Sequence, residues 1–192
     1  MTMAIRSFVA AAVLLSSALA GRADTLEERL IACLACHGAT GQSETPGVPS
    51  LGGQPALYLT IQLLMFREKL RAVEPMTQML QGVSDYDLRG TAAYLAKLPP
   101  PEPPDDTGNP ARMERARALI EQQRCNFCHQ RDYSGEDNVP RIAGQREDYL
   151  VKALQEYKNN TRRGYDAGMA DVLYPISDEQ IRDLAYFLSR LH

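Results

Sequence analysis

The chain has 192 residues, with 21 Lys+Arg against 24 Asp+Glu and a formal net charge of −3. That balance argues against nucleic acid as a partner, which calls for a basic face. Four cysteines, three histidines and seven methionines are present.

Residues 1–20 read as a secretory signal peptide. Arg6 precedes an apolar run over 8–20, and Ala18-Leu19-Ala20 closes it in the small-residue pattern of a cleavage site. Cleavage is expected after Ala20, with Ala23 as the second choice. The run is short for a transmembrane helix, and an uncleaved anchor is the rival reading. Removal of residues 1–20 takes away Arg6 and no acid. Lys+Arg then stands at 20 against 24 Asp+Glu, a net charge of −4. No other long apolar stretch follows, so the mature chain, from about Gly21, is expected to be soluble or peripherally attached to a membrane.

The spacing of Leu26, Leu30, Ile31 and Leu34 predicts a helix over 24–36, capped by Asp24 or Thr25. It delivers Cys33-Leu34-Ala35-Cys36-His37. Residues 38–53 are a loop rich in Gly, Pro, Ser and Thr. A second helix is expected over 55–71, with Pro55 in its first turn and Leu57, Tyr58, Ile61, Leu64, Met65 and Leu70 as its apolar set. Glu74-Pro75 breaks the chain. Ser84 then caps a third helix, with Asp87 three residues on and Tyr86, Leu88, Tyr94, Leu95 and Leu98 along it. Residues 99–110 are a proline-rich, acidic linker, expected to be extended and semi-rigid. Asn109 and Pro110 cap a helix over 111–124, which leads into Cys125-Asn126-Phe127-Cys128-His129.

The second half repeats the first. Pro49-Ser50-Leu51-Gly52-Gly53-Gln54 matches Pro140-Arg141-Ile142-Ala143-Gly144-Gln145, Tyr58-Leu59 matches Tyr149-Leu150, Ser84-Asp85 matches Ser177-Asp178, and Tyr94-Leu95 matches Phe187-Leu188. The chain therefore divides into a signal (1–20), an N-terminal unit (21–98), a linker (99–110) and a C-terminal unit (111–192). Units of about 80 residues bury a marginal core on their own. A large apolar cofactor inside each would supply what is missing, and the apo chain is expected to fold poorly.

The doubled string uses all four cysteines and two of the three histidines. C-x-x-C-H is the pattern of covalent haem attachment. Two thiols one helical turn apart add across the vinyl groups on one porphyrin edge, and the adjacent imidazole ligates the iron from below. A redox dithiol or half of a zinc site is the rival reading. A dithiol does not require the histidine that follows twice here, and a zinc site wants a second Cys/His pair that neither half offers. Two covalently attached haem c groups are expected, on Cys33 and Cys36 and on Cys125 and Cys128, with His37 and His129 on the iron.

Each iron needs a partner opposite its histidine. His192 is the only histidine left, and one residue cannot serve two metals. Met76 lies eight residues before Ser84 and Met169 eight before Ser177, which selects this pair. Met79 is the main rival at the first site, and its counterpart is Val172. Met65 sits inside a helix and reads as core. Arg71, Arg162, Arg163, Tyr58 and Tyr149 are candidates to contact haem propionates. By default the arginines are surface charges and the tyrosines core.

With these motifs the chain resembles the cytochromes c4, dihaem class I c-type cytochromes of bacterial periplasms, over nearly all of its mature length. The resemblance implies an all-α fold of two tandem class I cytochrome c domains, each wrapped around one haem, with His/Met ligation. It also implies that Pro49 and Pro140, a dozen and eleven residues past the histidines, supply carbonyls to the imidazoles, with simple turn formation as the rival role. A periplasmic carrier of single electrons is the expected function, with a donor dehydrogenase or membrane complex on one side and a terminal oxidase or other acceptor on the other. The alternatives are a dedicated subunit of a periplasmic dehydrogenase complex and, from another class, a dihaem enzyme of the peroxidase or thiosulfate dehydrogenase type. Many relatives carry two adjacent methionines at the ligand position. Here the neighbours are Pro75 and Thr77, and Gly168 and Ala170.

Overall fold

The computed structural model describes residues 25–162 and 167–192. The expected signal peptide lies outside them, as does Arg163. The first half contains α1 (Leu26–His37), α2 (Ala56–Arg67), α3 (Met76–Met79) and α4 (Asp85–Leu95). The second contains α5 (Pro110–Gln122), α6 (Asn126–His129), α7 (Glu147–Lys158), α8 (Ala167–Leu173) and α9 (Asp178–Leu188). Among the described residues there is no strand, only an isolated bridge between Glu136 and Val139.

The caps follow from the sequence. Thr25 Oγ1 accepts from the Glu28 N–H at 3.2 Å, and Glu28 Oε2 accepts from the Thr25 N–H at 2.8 Å. This reciprocal pair satisfies two donors at the start of α1. Ser84 and Ser177 do the same work for α4 and α9, the second with Gln180 as its reciprocal partner. Asn109 Oδ1 accepts from the N–H groups of Ala111 and Arg112, and Pro110 is the first residue of α5. The linker is therefore one residue shorter than expected.

Two cores form, each from one half. Leu30, Tyr58, Leu59, Leu63, Phe66, Leu80, Leu88, Ala92 and Leu95 make the first. The second is built on Leu119, Ile120, Leu150, Leu154, Leu173, Ile176 and the inward face of α9. In the first half α4 packs on α2 and α1, and in the second α9 packs on α5 and α7.

The inward faces differ in places from the expected ones. Ile31 is 66% exposed, and Leu57, Leu64 and Leu70 also face outward. Helix α2 (ALYLTIQLLMFR) is apolar nearly all round, so its periodicity does not choose a face. Packing against α4 chooses Leu59, Leu63 and Phe66. Helix α2 also ends at Arg67 rather than Arg71, with Lys69 at φ 58°. Helix α5 ends at Gln122, two residues before the expected boundary, and Arg124 adopts φ 54°. As a result α1 runs straight through its C-x-x-C-H string, whereas the second string starts a new turn.

The halves meet through side-chain amides and backbone. Gln54 Nε2 donates to Arg141 O at 2.8 Å while its Oε1 accepts from Arg141 N–H at 3.1 Å. Gln145 Nε2 donates to Ser50 O at 2.9 Å while its Oε1 accepts from Ser50 N–H at 2.8 Å. Arg146 Nη1 donates to Ser43 O, and Tyr58 N–H to Asp137 O. The extended linker lies along both halves. Gln42 exchanges two hydrogen bonds with the backbone of Glu102, and Arg190 pairs with Asp106 at 2.8 Å.

Candidate haem sites

The last turn of α1 places Cys33 inward, Cys36 outward and His37 inward, at 6% exposure. Gly38 follows at φ 85°, where a Cβ would lie 1.9 Å from the Gln42 carbonyl oxygen. With that carbonyl so close, position 38 has no room for a side chain, and the turn there sends the 38–53 loop back along the helix. The loop brings Pro49 O to 2.8 Å from His37 Nδ1. With Nδ1 donating to that carbonyl, Nε2 is left with its lone pair free for a metal. Burial holds the imidazole below its ordinary value, and the Pro49 bond opposes this only in part. His37 is therefore neutral near pH 7, the state a ligand requires. Burial pushes the Cys33 thiol up.

A small cleft of about 90 Å³ opens beside this turn. Its walls include Cys33, Cys36 and His37 from α1, Val48 from the loop, and Met76, Met79 and Leu80 from α3 and the residue after it. Two thiols, a neutral imidazole and two thioethers thus converge on one largely apolar space. This donor set fits an iron porphyrin attached through its edge. None of the four cysteines is paired in a disulfide, and among the described residues no group of three His, Cys, Asp or Glu side chains is placed to hold a metal ion. A four-ligand zinc site has no set of side chains to build it there.

The second string repeats the histidine–proline geometry of the first with different local means. Helix α6 carries Phe127, Cys128 and His129, and Cys125 stands just before it. His129 is 5% exposed, and its Nδ1 lies 2.9 Å from Pro140 O. Gln130 takes the left-handed turn, φ 70°, that Gly38 takes in the first half. Cys125 and Met169 both pack against the second core, and burial pushes the Cys125 thiol up to about 11. Phe127, between the two cysteines, is 87% exposed.

Both proline carbonyls therefore stand where the resemblance implies. Met76 shares the first cleft with the cysteines and histidine, and so does Met79. Helices α3 and α8, which carry the methionines, were not legible as helices. They have four and seven residues, too few for a periodicity, and the repeat register was the only signal. The roles of Gln54 and Gln145 were missed too, although their matching positions in the two copies were visible.

The surface default is overturned for Arg162; Arg71 is half-buried. Arg162 is buried, with Nη2 donating to Tyr58 OH at 3.4 Å and Nη1 to Tyr149 OH at 3.3 Å. Arg71 Nη1 donates to Gln62 Oε1 at 2.8 Å, and its Nη2 reaches Tyr149 OH at 3.5 Å. The carboxylate beside Arg162 is Glu156, at 3.7 Å. Burial would raise the Tyr149 phenol, but the two guanidinium groups outweigh it and bring it down to about 8. Burial pushes the Tyr58 phenol up. A guanidinium is drawn inward here because two aromatic hydroxyls and the Tyr157 ring, 5.1 Å away, receive it. The result is a buried cationic cluster with room in its chemistry for an anionic group.

The family model described as Cytochrome c matches residues 28–99 and again 113–192. Cytochrome c4 of Pseudomonas aeruginosa is 30% identical, over 90% of each chain. A thiosulfate dehydrogenase electron acceptor of Thiomonas intermedia is 30% identical, over 82% of this chain and 77% of that protein. The crystal structure of reduced recombinant cytochrome c4 from Pseudomonas stutzeri is 28% identical. It covers 88% of this chain and 100% of its own, with a TM-score of 0.78.

Proposed function

The chain belongs to the cytochrome c family, as a dihaem member of the cytochrome c4 type with two covalent haem c groups, and from that premise we propose that it is an exported, periplasmic carrier of single electrons between two protein partners. The haems supply the one-electron couple. The chain's residues attach, ligate and shield them.

In this reading Cys33 and Cys36 hold the first haem and Cys125 and Cys128 the second. His37 and His129 ligate through Nε2, because Nδ1 of each is committed to a proline carbonyl. Met76 and Met169 would supply each iron's second protein ligand. A thioether is a soft ligand that favours Fe(II), so this pairing raises the potential. It also leaves no open position for oxygen or peroxide, and we assign no catalytic residue. Arg162, buried, and Arg71, half-buried, are suited to neutralise haem propionates, since guanidinium groups favour bidentate carboxylate partners.

The observation that carries the reading is the convergence of Cys33, Cys36, His37 and Met76 on one cleft, with the His–Pro carbonyl bond repeated in both halves. No helix among the described residues is long and apolar enough to cross a membrane. Reductive titration of the purified protein, with carbon monoxide added to the reduced state, tests it. Two one-electron waves and no rapid carbon monoxide binding are expected. Rapid binding at either haem in the native protein counts against a closed carrier.

A second reading is a carrier dedicated to one periplasmic dehydrogenase. Similarity to thiosulfate dehydrogenase electron acceptors favours it. Both readings share the same sites and differ in partner, so co-purification separates them. The isolated chain is expected to show no turnover with peroxide or thiosulfate, the activities a dihaem enzyme would need.

A further inference from the structure

The peptide group joining Pro49 to Ser50 is held from both sides. Its carbonyl accepts from His37 Nδ1 at 2.8 Å, and its N–H donates to Oε1 of Gln145, in the opposite half, at 2.8 Å. The peptide joining Pro140 to Arg141 is held the same way. Its carbonyl lies 2.9 Å from His129 Nδ1, and its N–H donates to Gln54 Oε1 at 3.1 Å. Ser50, Gln54 and Gln145 are all buried. Each glutamine also donates back to the same residue's carbonyl, Gln145 to Ser50 O and Gln54 to Arg141 O. A flipped amide would set oxygen against oxygen and N–H against N–H, so this network admits one orientation.

We propose that Gln145 and Gln54 are positioning residues that tune, across the seam, the histidine ligand of the other half's haem. Resting on the His ligation proposed above, it follows from how a peptide group conducts polarisation. When the amide N–H gives its hydrogen bond to a buried acceptor, the carbonyl of the same group becomes a better acceptor. A better acceptor at Nδ1–H gives the imidazole more anionic character and makes Nε2 a stronger donor to iron. That favours the ferric state. Each potential is therefore coupled to whether the two halves are docked, and the coupling is crossed: a residue of the second half acts on the first haem.

Gln145→Leu in the holoprotein tests the crossing. The midpoint of the His37 haem is expected to rise, with a change of about threefold to tenfold in its reduced-to-oxidised ratio at fixed ambient potential. That equals ~30–60 mV at 59 mV per decade for one electron. The His129 haem should stay put. Gln54→Leu should do the converse. Gln145→Glu keeps an acceptor for Ser50 N–H and should return the first midpoint to, or below, its native value. In the reduced protein the His37 Nδ1 proton resonance should move upfield in Gln145→Leu and recover in Gln145→Glu. Equal shifts of both haems, a shift confined to the half that carries the substitution, or unmoved midpoints in a folded holoprotein each overturn the proposal. If Gln145→Leu fails to fold, Gln145→Glu and Gln54→Leu carry the test through the same two readouts. Failure of the underlying ligation would look different: the native protein itself would show no histidine-ligated iron.

Discussion

Met76 and Met79 stand three residues apart in α3, and both line the cleft that holds Cys33, Cys36 and His37. They are not equivalent. Met76 is half-buried and packs against the first core, while Met79 is 40% exposed and is absent from that core. Met76→Ala is therefore expected to open the first iron, lower its potential and admit carbon monoxide to one haem of two. Met79→Ala should leave the spectrum and both midpoints nearly unchanged. The reverse pattern would move the ligand to Met79.

Met169 has no such understudy, since the position matching Met79 is Val172. Met169→Ala should open the second haem and lower its potential, leaving the first nearly intact. Retention of the iron–sulfur charge-transfer band by both haems in this variant would remove Met169 from the ligand set. Cys125→Ala, by contrast, should weaken attachment more than function. The intact mass after denaturation reports how much haem the remaining Cys128 thioether retains.

Asp183 in α9 accepts from Arg112 Nε and from Arg115 Nε, each at 2.8 Å. Burial would raise its carboxyl, but the hydrogen bonds from Arg115 and Arg112 outweigh this and hold it below its ordinary value of 3.8. A depressed native value means the contribution is complete above the ordinary carboxylate range and disappears as pH falls through the native value. Asp183→Asn should cost about 1–3 kcal/mol at pH 7. The lower end is expected because Arg115 is half exposed and its attraction is screened. The difference from wild type should vanish in acid, measured as urea unfolding of the second half against pH. An equal cost at pH 7 and in strong acid would show that the loss is packing rather than charge.

Thr91 of α4 is completely buried, and its hydroxyl has no hydrogen-bond partner. The register of the repeat sets Leu184, an apolar core residue, at the matching place. Thr91→Val replaces the stranded hydroxyl by a methyl of the same shape. It should stabilise the holoprotein by about 1 kcal/mol, read as a higher midpoint in denaturant with an unchanged slope. A lower midpoint would show that the hydroxyl has a partner in the haem-loaded protein.

What was legible follows the range of the physics involved. The C-x-x-C-H strings, the Ser84 and Ser177 caps and the Asn109-Pro110 start of α5 are local chemistry, written within a few residues. The methionines were legible only through the repeat. The inward face of α2 was not, because Leu57 and Leu59 are equally apolar and only packing against α4 separates them. Arg162 looked like a surface charge because the tyrosine that draws it inward, Tyr58, lies more than a hundred residues earlier. For the same reason Gln145 showed its position but not its partner, Ser50.

The 99–109 segment is bonded at Glu102 to Gln42 of the first half and at Asp106 and Asn109 to Arg190 and Tyr186 of the second. It behaves as a strap rather than a tether. Because the strap is covalent, dilution cannot part the two halves, and their separation belongs to the chain rather than to its concentration.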